Sequence, residues 1–369
     1  MLPETRRSTG PFDIAIVGAG PVGLACGIAA KRHGYDAVLI EKGCIADSVF
    51  RFPTNMTFFT TPELMEIGNH PLITGPHNKP TRGEALDYYR SVTRVEALDV
   101  RTYERVLRLE RRDQSFALDV ESRDGPKTYE ARRVILATGY YDDPNRLDVP
   151  GEDLPHVSHY YTEAHPYAGR RVLVVGGKNS AVEAALDLFR HDAHVTLVHR
   201  GVHFGKGVKY WILPDIENRI QAGEIRAWFE TVVREIRERE VELEQHGTTF
   251  TERFDQVFLL TGYHPDPDFL RACGLEPDPV TLAVAIDPET CESRDVPDLY
   301  LAGSASAGRA TGMIFIENGR FDADRILAHI AKTDGREAPA SQPTGRGFGA
   351  LPNGASITRP RGGASGASR

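Results

Sequence analysis

The sequence has few cysteines and no closely spaced pair of them. Its 369 residues include only Cys26, Cys44, Cys273 and Cys291; none forms a Cys-x-x-Cys motif, and none pairs with histidine at metal-ligand spacing. These absences exclude a zinc module and a disulfide-stapled scaffold. We expect no resident metal and a protein of a reducing cytoplasm.

The sequence also lacks long apolar runs and an excess of positive charge. No run reaches the ~18 apolar residues that suggest a membrane span. The start, MLPETRRSTGPF, has no apolar stretch behind its arginines, so we expect no secretory signal. The formal net charge is −8, and Lys and Arg are interspersed with Asp and Glu. We therefore predict a soluble protein that binds neither nucleic acid nor membrane.

What the sequence does contain is the same βαβ pattern twice. The apolar segment FDIAIV (12–17) is followed by GAGPVG, the helical pattern LACGIAAKRHG and the strand AVLIEK. The segment RVLVV (171–175) is followed in the same order by GGKNSA, VEAALDLFRHD and HVTLVHR. The distance from Gly18 to Gly176 is too long for a solenoid repeat. The sequence thus predicts an α/β fold with two Rossmann-like dinucleotide-binding domains.

Two further strands indicate how these domains are joined. RRVILATGYYDDP (132–144) and DQVFLLTGYHPDP (255–267) each run from an apolar strand into Thr-Gly-Tyr, a pattern typical of paired crossover strands that bracket an insertion. A Gly- and Pro-rich C-terminal segment has almost no large apolar side chain, so we predict a disordered tail. The predicted bounds are 11–150 and 259–332 for a discontinuous first domain, 151–258 for the inserted second domain, and 333–369 for the tail.

The first glycine turn matches the G-x-G-x-x-G pattern between a strand and a helix. Gly18 permits the tight turn, Gly20 lets the backbone reach a pyrophosphate, and Gly23 allows close packing of helix on strand. Pro21 suits the first helical turn, where its missing N–H would be unpaired anyway. The helix N-terminus supplies N–H donors and a favourable dipole. This turn predicts a dinucleotide site.

The surroundings of this turn favour FAD. Glu41 ends the second strand, where an acid accepts hydrogen bonds from the ribose hydroxyls of an adenosine, and Lys42 stands beside it. A first Rossmann unit followed by a second one suggests that FAD binds to the first. Thr138-Gly139 and Gly303 each follow a strand and are placed to approach the flavin, although either could be a plain glycine turn.

The second glycine turn is a degraded form of the same pattern. Lys178 replaces the middle glycine, and its ammonium group could meet the pyrophosphate. The next strand ends in His199-Arg200, where an NADH site would have an acid; a cation there meets a 2′-phosphate, so NADPH is predicted. Arg200 could also be a solvent-facing strand end. The residues assigned to NADPH are Gly176, Gly177, Lys178, Asn179, Ser180, His199, Arg200 and Lys206.

Four segments carry a resemblance to a known family. GGKNSAVEAALDL (176–188), KYWILPDIENRI (209–220), RFPTNMTFF (51–59) and IFIENGRF (314–321) resemble the YpdA-type bacillithiol disulfide reductases, within the flavoprotein superfamily of the thioredoxin reductases. The resemblance implies FAD, NADPH, a hydride relay through the flavin and a homodimer. It also implies that Asn55 and Met56 lie close to the flavin ring, and that the acceptor is bacillithiol disulfide.

The catalytic residues are less clear, because the Cys-x-x-Cys of thioredoxin reductases is missing. The corresponding interval, HVSHYYTEAHPYAGRR (156–171), has tyrosines and His165 instead. These form either an aromatic wall beside the cofactors, with His165 as a proton donor, or a packed connector. Cys26 is a second, weaker catalytic candidate, because a thiol near a helix N-terminus can attack a disulfide. Since it lies one helical turn below the glycines, we expect it to be a buried packing residue instead. Val22 stands where the YpdA group commonly has cysteine.

The acceptor of the electrons stays open at this stage. The leading prediction is a small-molecule disulfide. The alternatives are a redox-protein acceptor, as in a ferredoxin or flavodoxin reductase, flavin-dependent monooxygenation, and a sensor that binds both cofactors without turnover.

Overall fold

The structure of the protein is a computed structural model, which describes residues 10–75, 79–205 and 207–336. The predicted phosphate contact Lys206 and the tail beyond residue 336 lie outside the described residues. The helices are α1 (Pro21–Arg32), α2 (Asp47–Phe50), α3 (Pro62–Met65), α4 (Arg82–Val95), α5 (Asn179–Arg190), α6 (Leu213–Gln221), α7 (Pro267–Ala272), α8 (Ile316–Gly319) and α9 (Asp322–Thr333). The strands are β1 (Phe12–Val17), β2 (Ala37–Glu41), β3 (Val100–Thr102), β4 (Glu104–Arg112), β5 (Ser115–Ser122), β6 (Gly125–Leu136), β7 (Asp143–Pro144), β8 (Val157–Ser158), β9 (Arg171–Val175), β10 (His194–Val198), β11 (Arg226–Trp228), β12 (Thr231–Ile236), β13 (Glu240–Gln245), β14 (Thr248–Arg253), β15 (Gln256–Leu259), β16 (Tyr263–His264) and β17 (Leu299–Leu301).

The first sheet combines strands from both ends of the chain. Its order is β3-β2-β1-β6-β5-β4, and β17 pairs with β6. β1 runs parallel to β2 and β6, and β17 runs parallel to β6. β1, β2 and β17 are almost wholly buried, which explains their near-continuous apolar sequences. β4, β5 and β6 pair antiparallel.

All five strands of the second sheet lie in one part of the chain, between residues 157 and 259. Its order is β11-β10-β9-β15-β8, with every pair parallel. The unit β9-α5-β10 repeats the arrangement of β1-α1-β2. The prediction of an α/β fold with two Rossmann-like units, one of them discontinuous, is confirmed. The residue bounds of the two domains stay a prediction. A separate three-stranded antiparallel sheet is formed by β12, β13 and β14.

The two Thr-Gly-Tyr segments lie next to each other. β7, which follows the first, pairs antiparallel with β16, which begins at the tyrosine of the second. The ring of Tyr263 lies 4.6 Å from that of Tyr141 and stacks 5.4 Å from that of Tyr160, measured between centroids. The two segments therefore lie side by side, although their apolar strands β6 and β15 belong to different sheets.

The core beside the first sheet is formed by α1 and α9. The buried apolar residues of α9 are Ala323, Ile326, Leu327, Ile330 and Ala331, a helical spacing that gives one apolar face. Fully burying each of the larger side chains stabilises the fold by about 1.5–3 kcal/mol. α9 ends at Thr333, the first residue of the predicted tail. None of the helices in the described part is long and apolar enough to cross a membrane.

Candidate functional site

The two glycine turns have nearly the same backbone geometry. The N–H of Gly18 donates to the carbonyl of Ile40 at 2.8 Å, and that of Gly176 donates to the carbonyl of Val198 at 2.9 Å. Both glycines have positive φ, at 105° and 151°. A Cβ on Gly18 would lie 2.6 Å from the backbone oxygen of Ala137, just after β6. One on Gly176 would lie 2.5 Å from that of Leu260, just after β15. Both positions therefore require glycine.

The helix that follows the first turn presents unpaired donors. Within the described residues, the N–H groups of Gly20, Val22 and Gly23 have no hydrogen-bond partner. A Cβ on Gly20 would meet nothing within 4 Å, so space is open in front of these donors. A Cβ on Gly23 would lie 2.0 Å from the Gly18 oxygen, which accounts for the third glycine. The turn fits a pyrophosphate.

Glu41 is buried at the end of β2. Its carboxylate accepts the N–H of Ala19 at 2.8 Å and that of Gly43 at 2.9 Å. Burial raises the pKa of this carboxyl, although the two backbone donors counteract part of the shift. Each oxygen keeps a lone pair for a further donor. The ammonium group of Lys42 pairs with Asp142, so it is already engaged.

The remaining predicted flavin residues converge on this turn. A Cβ on Gly139 would lie 3.9 Å from Ser304 Oγ, and one on Gly303 would lie 3.1 Å from Val22 Cγ2. Thr138 is half-buried beside them. The structure thus brings Thr138-Gly139 and Gly303 to the start of α1, although they are far apart in sequence.

The segment 51–59 lies over the core of the first sheet. Met56 is half-buried and packs on that core, and its carbonyl accepts the N–H of Arg82 at 2.9 Å. Asn55 is exposed. Arg51 pairs with Asp47 and Asp142. The side chain of Asn55 is therefore accessible to a ligand, whereas that of Arg51 is already engaged in ion pairs.

At the second turn, His199 packs directly on the glycines. A Cβ on Gly177 would lie 2.3 Å from His199 Cε1, so the imidazole lies against the bare backbone. Burial, and next the positive charge of Arg200, lower the pKa of His199. Neither Arg200 nor Lys178 has a side-chain hydrogen bond or ion pair among the residues described, and both are exposed. Two free cations thus flank this turn.

Asn179 holds the loop that covers the second turn. Its amide nitrogen donates to the carbonyl of Gly207 at 3.0 Å, and its oxygen accepts the N–H of Lys209 at 2.8 Å. The Asn179 side chain therefore uses both its donor and its acceptor on the backbone of this loop. The N–H groups of Lys178, Asn179 and Ser180 have no partner within the described part of the chain, as at the first turn.

None of the four cysteines has the features of a reactive thiol. Cys26 is fully buried, and burial followed by the Asp322 carboxylate raises the pKa of its thiol. Burial also raises the pKa of Cys273, and it brings those of Cys44 and Cys291 to about 11. Because the thiolate is the nucleophile, these surroundings support a packing role for Cys26.

The tyrosine-rich interval is packed as a connector. The hydroxyl of Tyr161 donates to Asp187, and the rings of Tyr161 and Tyr167 contact Phe258 edge to face. His165 begins a short 3₁₀ turn and is exposed. No group of three or more His, Cys, Asp or Glu side chains in the described residues is arranged to hold a metal ion.

Sequence reasoning missed one buried carboxylate beside the residues predicted to bind the flavin. Asp322 accepts the N–H of Gly303 at 2.7 Å and pairs with Arg325. Its only signal was the pattern FDADR at 321–325, which reads as an ordinary acidic helix start. Because Asp322 takes the Gly303 N–H, Gly303 offers a ligand close approach rather than a donor.

The chain belongs to the pyridine nucleotide-disulphide oxidoreductase family, whose model matches residues 15–303. This match spans both glycine turns and ends at Gly303. The predicted class, a flavin oxidoreductase, and the predicted cofactors, FAD and NADPH, are confirmed.

Similar proteins define the branch of the family. Bacilliredoxin reductase Bdr of Bacillus subtilis (strain 168) is 42% identical over 321 residues, covering 86% of this chain and 97% of the relative. The structure of bacillithiol disulfide reductase Bdr (YpdA) from Bacillus cereus has a TM-score of 0.86 at 40% identity, covering 88% of this chain and all of that one. The same enzyme from Staphylococcus aureus has a TM-score of 0.83 at 37% identity, covering 88% of this chain and 99% of that one. The resemblance to the YpdA group is confirmed.

Proposed function

We propose that the protein oxidises NADPH and reduces the disulfide of a low-molecular-weight thiol of the bacillithiol class. One observation carries this proposal: the two βαβ units have charges of opposite sign where their second strands end. Glu41 follows the first turn and suits an adenosine ribose, whereas His199-Arg200 follows the second and suits a 2′-phosphate. Such a pair supports two different dinucleotides in one chain.

The residues proposed to hold FAD are those around the first turn. The free N–H groups at the start of α1 would meet the pyrophosphate, and Glu41 would accept the ribose hydroxyls. Gly139 and Gly303 would leave room for the flavin, with Asn55 and Met56 beside its ring. When bound, FAD supplies a centre that accepts hydride and passes on two electrons.

The residues proposed to hold NADPH are those around the second turn. Arg200 would pair with the 2′-phosphate, and Lys178 with the pyrophosphate, because both cations lack partners in the described part of the chain. His199 packs on Gly177 and would support the ribose end of the site. Selectivity for NADPH over NADH would depend on Arg200.

The reaction would proceed without a thiol of this chain. Its balance is NADPH + H⁺ + RSSR → NADP⁺ + 2 RSH: one disulfide bond is broken and two thiols are formed. The burial and raised thiol pKa values of Cys26 and Cys273, together with the absence of Cys-x-x-Cys, support a direct transfer to the substrate. Val22 at the turn supports it further, since the YpdA group commonly has cysteine there.

One assay tests this function and separates its rivals. The purified flavoprotein is reduced anaerobically with NADPH and then offered bacillithiol disulfide, ferredoxin or a quinone in turn. We expect the disulfide to restore the oxidised flavin spectrum and to yield two thiols per NADPH. If ferredoxin restores it and the disulfide does not, the protein is a ferredoxin reductase and the proposal fails. A hydroxylated product formed with oxygen would identify a monooxygenase, and a flavin that NADPH cannot bleach would identify a sensor.

We also propose a homodimer that works in the cytoplasm, with domain bounds at 11–150 with 259–332 and at 151–258. The resemblance to thioredoxin reductases supports the dimer. Light scattering of the purified protein tests it: a single mass near twice 40.8 kDa is expected, and a monomer mass at micromolar concentration would overturn it.

A further inference from the structure

Helix α5 carries a row of polar side chains that starts at the second glycine turn. Asn179, Glu183 and Asp187 stand four residues apart, so they share one face of the helix. All three are half-buried, whereas the fully buried residues of α5 are all apolar. Polar groups withdrawn from water are almost always hydrogen-bonded, and the partners of this row lie outside α5. We call these three residues the α5 row.

A first connection runs from the α5 row to the segment 51–59 through Lys209. The N–H of Lys209 donates to Asn179 Oδ1 at 2.8 Å, and its ammonium group pairs with Glu183. The Lys209 side chain is only 13% exposed, and its ammonium nitrogen lies 5.4 Å from the ring centroid of Phe59, a cation–π contact. Lys209 therefore joins α5 to one end of this segment.

A second connection runs to the other end of the same segment through Tyr161. The Tyr161 hydroxyl donates to Asp187 of the α5 row, and its ring packs edge to face on Phe258 of β15. The next residue, Thr162, accepts the N–H of Thr54 through its carbonyl at 2.8 Å. Because Tyr161 and Thr162 are consecutive, the place of Thr54 depends on the hydrogen bond at Asp187.

The residues proposed to lie beside the flavin ring stand between these two connections. The N–H of Phe58 donates to the carbonyl of Pro80 at 2.8 Å, and that of Arg82 donates to the carbonyl of Met56 at 2.9 Å. Asn55 and Met56 thus belong to a short stretch that is held along its length and joined to α5 at both ends. The first turn of α5 is the proposed site of the NADPH pyrophosphate. One helix therefore links the two dinucleotide sites.

We propose that Glu183 and Asp187 are positioning residues for hydride transfer from NADPH to FAD; this rests on the proposed function. In that step NADPH gives up one hydride and becomes NADP⁺, and the hydride and one proton from water pass to FAD. The reacting atoms must approach to about 3–3.5 Å, and a misplacement of about 1 Å can lower the rate about 100-fold. Both carboxylates act through protein partners, because they fix the segment with Asn55 and Met56 relative to the helix that begins at the second glycine turn.

The experiment removes each connection from the intact flavoprotein. Glu183→Ala and Asp187→Ala delete the two carboxylates, and α5 should be retained because alanine favours helix. Lys209→Met and Tyr161→Phe remove the partner groups instead. The control is Glu217→Ala, at an exposed position of α6 that has no hydrogen bond or ion pair with a described residue.

Two measurements should change together. The rate constant of flavin reduction at saturating NADPH should fall at least about 5-fold in each of the four variants, while Kd for NADP⁺ stays within about 2-fold of wild type. Hydrogen exchange of the peptide 51–59, followed by mass spectrometry without NADPH, should become at least about 5-fold faster. The double variant Glu183→Ala/Lys209→Met should be no slower than either single variant, since both delete the same connection. The control should match wild type throughout.

Three results would overturn the positioning role. The first is an unchanged rate of flavin reduction in the four variants. The second is a weaker Kd for NADP⁺ with an unchanged rate at saturation, which would make the α5 row part of the nucleotide site. The third is slower reduction without faster exchange of the peptide, which would place the effect of the carboxylates on the cofactors themselves.

Failure of the proposed function gives a different pattern. A wild-type flavin that NADPH reduces but that no disulfide reoxidises refutes the disulfide reductase function and leaves the positioning role standing. A wild-type flavin that NADPH cannot reduce refutes the function and the positioning role together.

Discussion

The first glycine turn allows a test that separates cofactor binding from folding. Gly20 and Gly23 are one helical turn apart, and a methyl group would meet very different surroundings at the two positions. On Gly23 it would lie 2.0 Å from the Gly18 carbonyl oxygen and 3.0 Å from the carbonyl carbon, neither of which can rotate away. On Gly20 it would meet nothing within 4 Å, and the φ of −72° there is one that alanine adopts freely.

We therefore expect the alanine variant at Gly23 to affect mainly folding stability and the one at Gly20 to affect mainly FAD binding. Gly23→Ala should lower the free energy of unfolding of the apoprotein by about 2–3 kcal/mol, because overpacking against fixed atoms costs about that much. Gly20→Ala should change it by less than about 1 kcal/mol, the scale of exchanging a glycine N-cap for alanine. It should nevertheless weaken FAD binding about 10- to 100-fold, since its methyl group occupies the space in front of the free N–H donors.

The measurements are urea unfolding of the flavin-free chains by circular dichroism, and FAD titration followed by quenching of flavin fluorescence. Wild type and Gly125→Ala are measured alongside; Gly125 has open space but a φ of 105° in a remote hairpin, so it reports backbone strain alone. The reasoning is refuted if Gly20→Ala binds FAD as tightly as wild type. It is also refuted if Gly20→Ala destabilises the apoprotein as much as Gly23→Ala does.

Three further variants test other parts of the molecule. Arg200→Ala should raise KM for NADPH about 10-fold and leave KM for NADH unchanged, since only NADPH has the 2′-phosphate. Cys26→Ala should keep kcat within about 2-fold and lose about 1 kcal/mol of stability from a small cavity, as measured by steady-state assay and urea unfolding. Asp334→Asn should be less stable than wild type at pH 7 and lose less stability on acidification, as measured by unfolding from pH 7 to pH 3.

The sign of the last effect follows from the contacts of Asp334. Burial by itself would raise the pKa of this carboxyl, but hydrogen bonds from Arg133 and Tyr35 bring it below the usual 3.8. Its stabilising effect is therefore complete above the unfolded pKa, near 3.8, and is lost as the pH falls through the lower folded value. The matched control is Asp124→Asn, an acid that is almost fully exposed. Equal pH profiles for the two variants would contradict this account.

Controls for the other two variants are equally direct. Arg190→Ala removes an exposed arginine at the end of α5 and should leave KM for both nucleotides unchanged. An equal rise for NADPH and NADH in Arg200→Ala would place the 2′-phosphate elsewhere. Loss of disulfide reduction in Cys26→Ala, with flavin reduction by NADPH preserved, would show that this thiol takes part in the chemistry.

Features set by local spacing could be predicted from the sequence. The glycine turns, the apolar strands before them and the charges after them lie within short segments, and the required backbone conformations depend on the absence of a side chain at Gly18 and Gly176. The helical spacing of apolar residues in α9 is of the same kind. These patterns sufficed for the fold class and for the place of both glycine turns between a strand and a helix.

Features that depend on contacts between distant segments could not be predicted. Nothing near Asp322 in the sequence indicates that its carboxylate accepts the Gly303 N–H, and nothing near Gly177 indicates that an imidazole packs on it. The pairing of Lys42 with Asp142 is similar, because a cation beside a ribose-binding acid suggests a ligand until its partner is known. Periodicity reports which face of an element is buried, but it does not report what covers that face.

The position of β17 has a consequence for the order in which the protein is made. β17 completes the first sheet beside β6, and α9 covers α1, yet both leave the ribosome after the whole second sheet. At ordinary rates of synthesis the delay between β6 and β17 is on the order of ten seconds. During that time the second sheet can fold, because β9, β10, β11 and β15 lie in one stretch of the chain. The first glycine turn still lacks the neighbouring strand β17 at that stage. We therefore expect the first glycine turn to gain its last neighbouring strand only after the second sheet has formed.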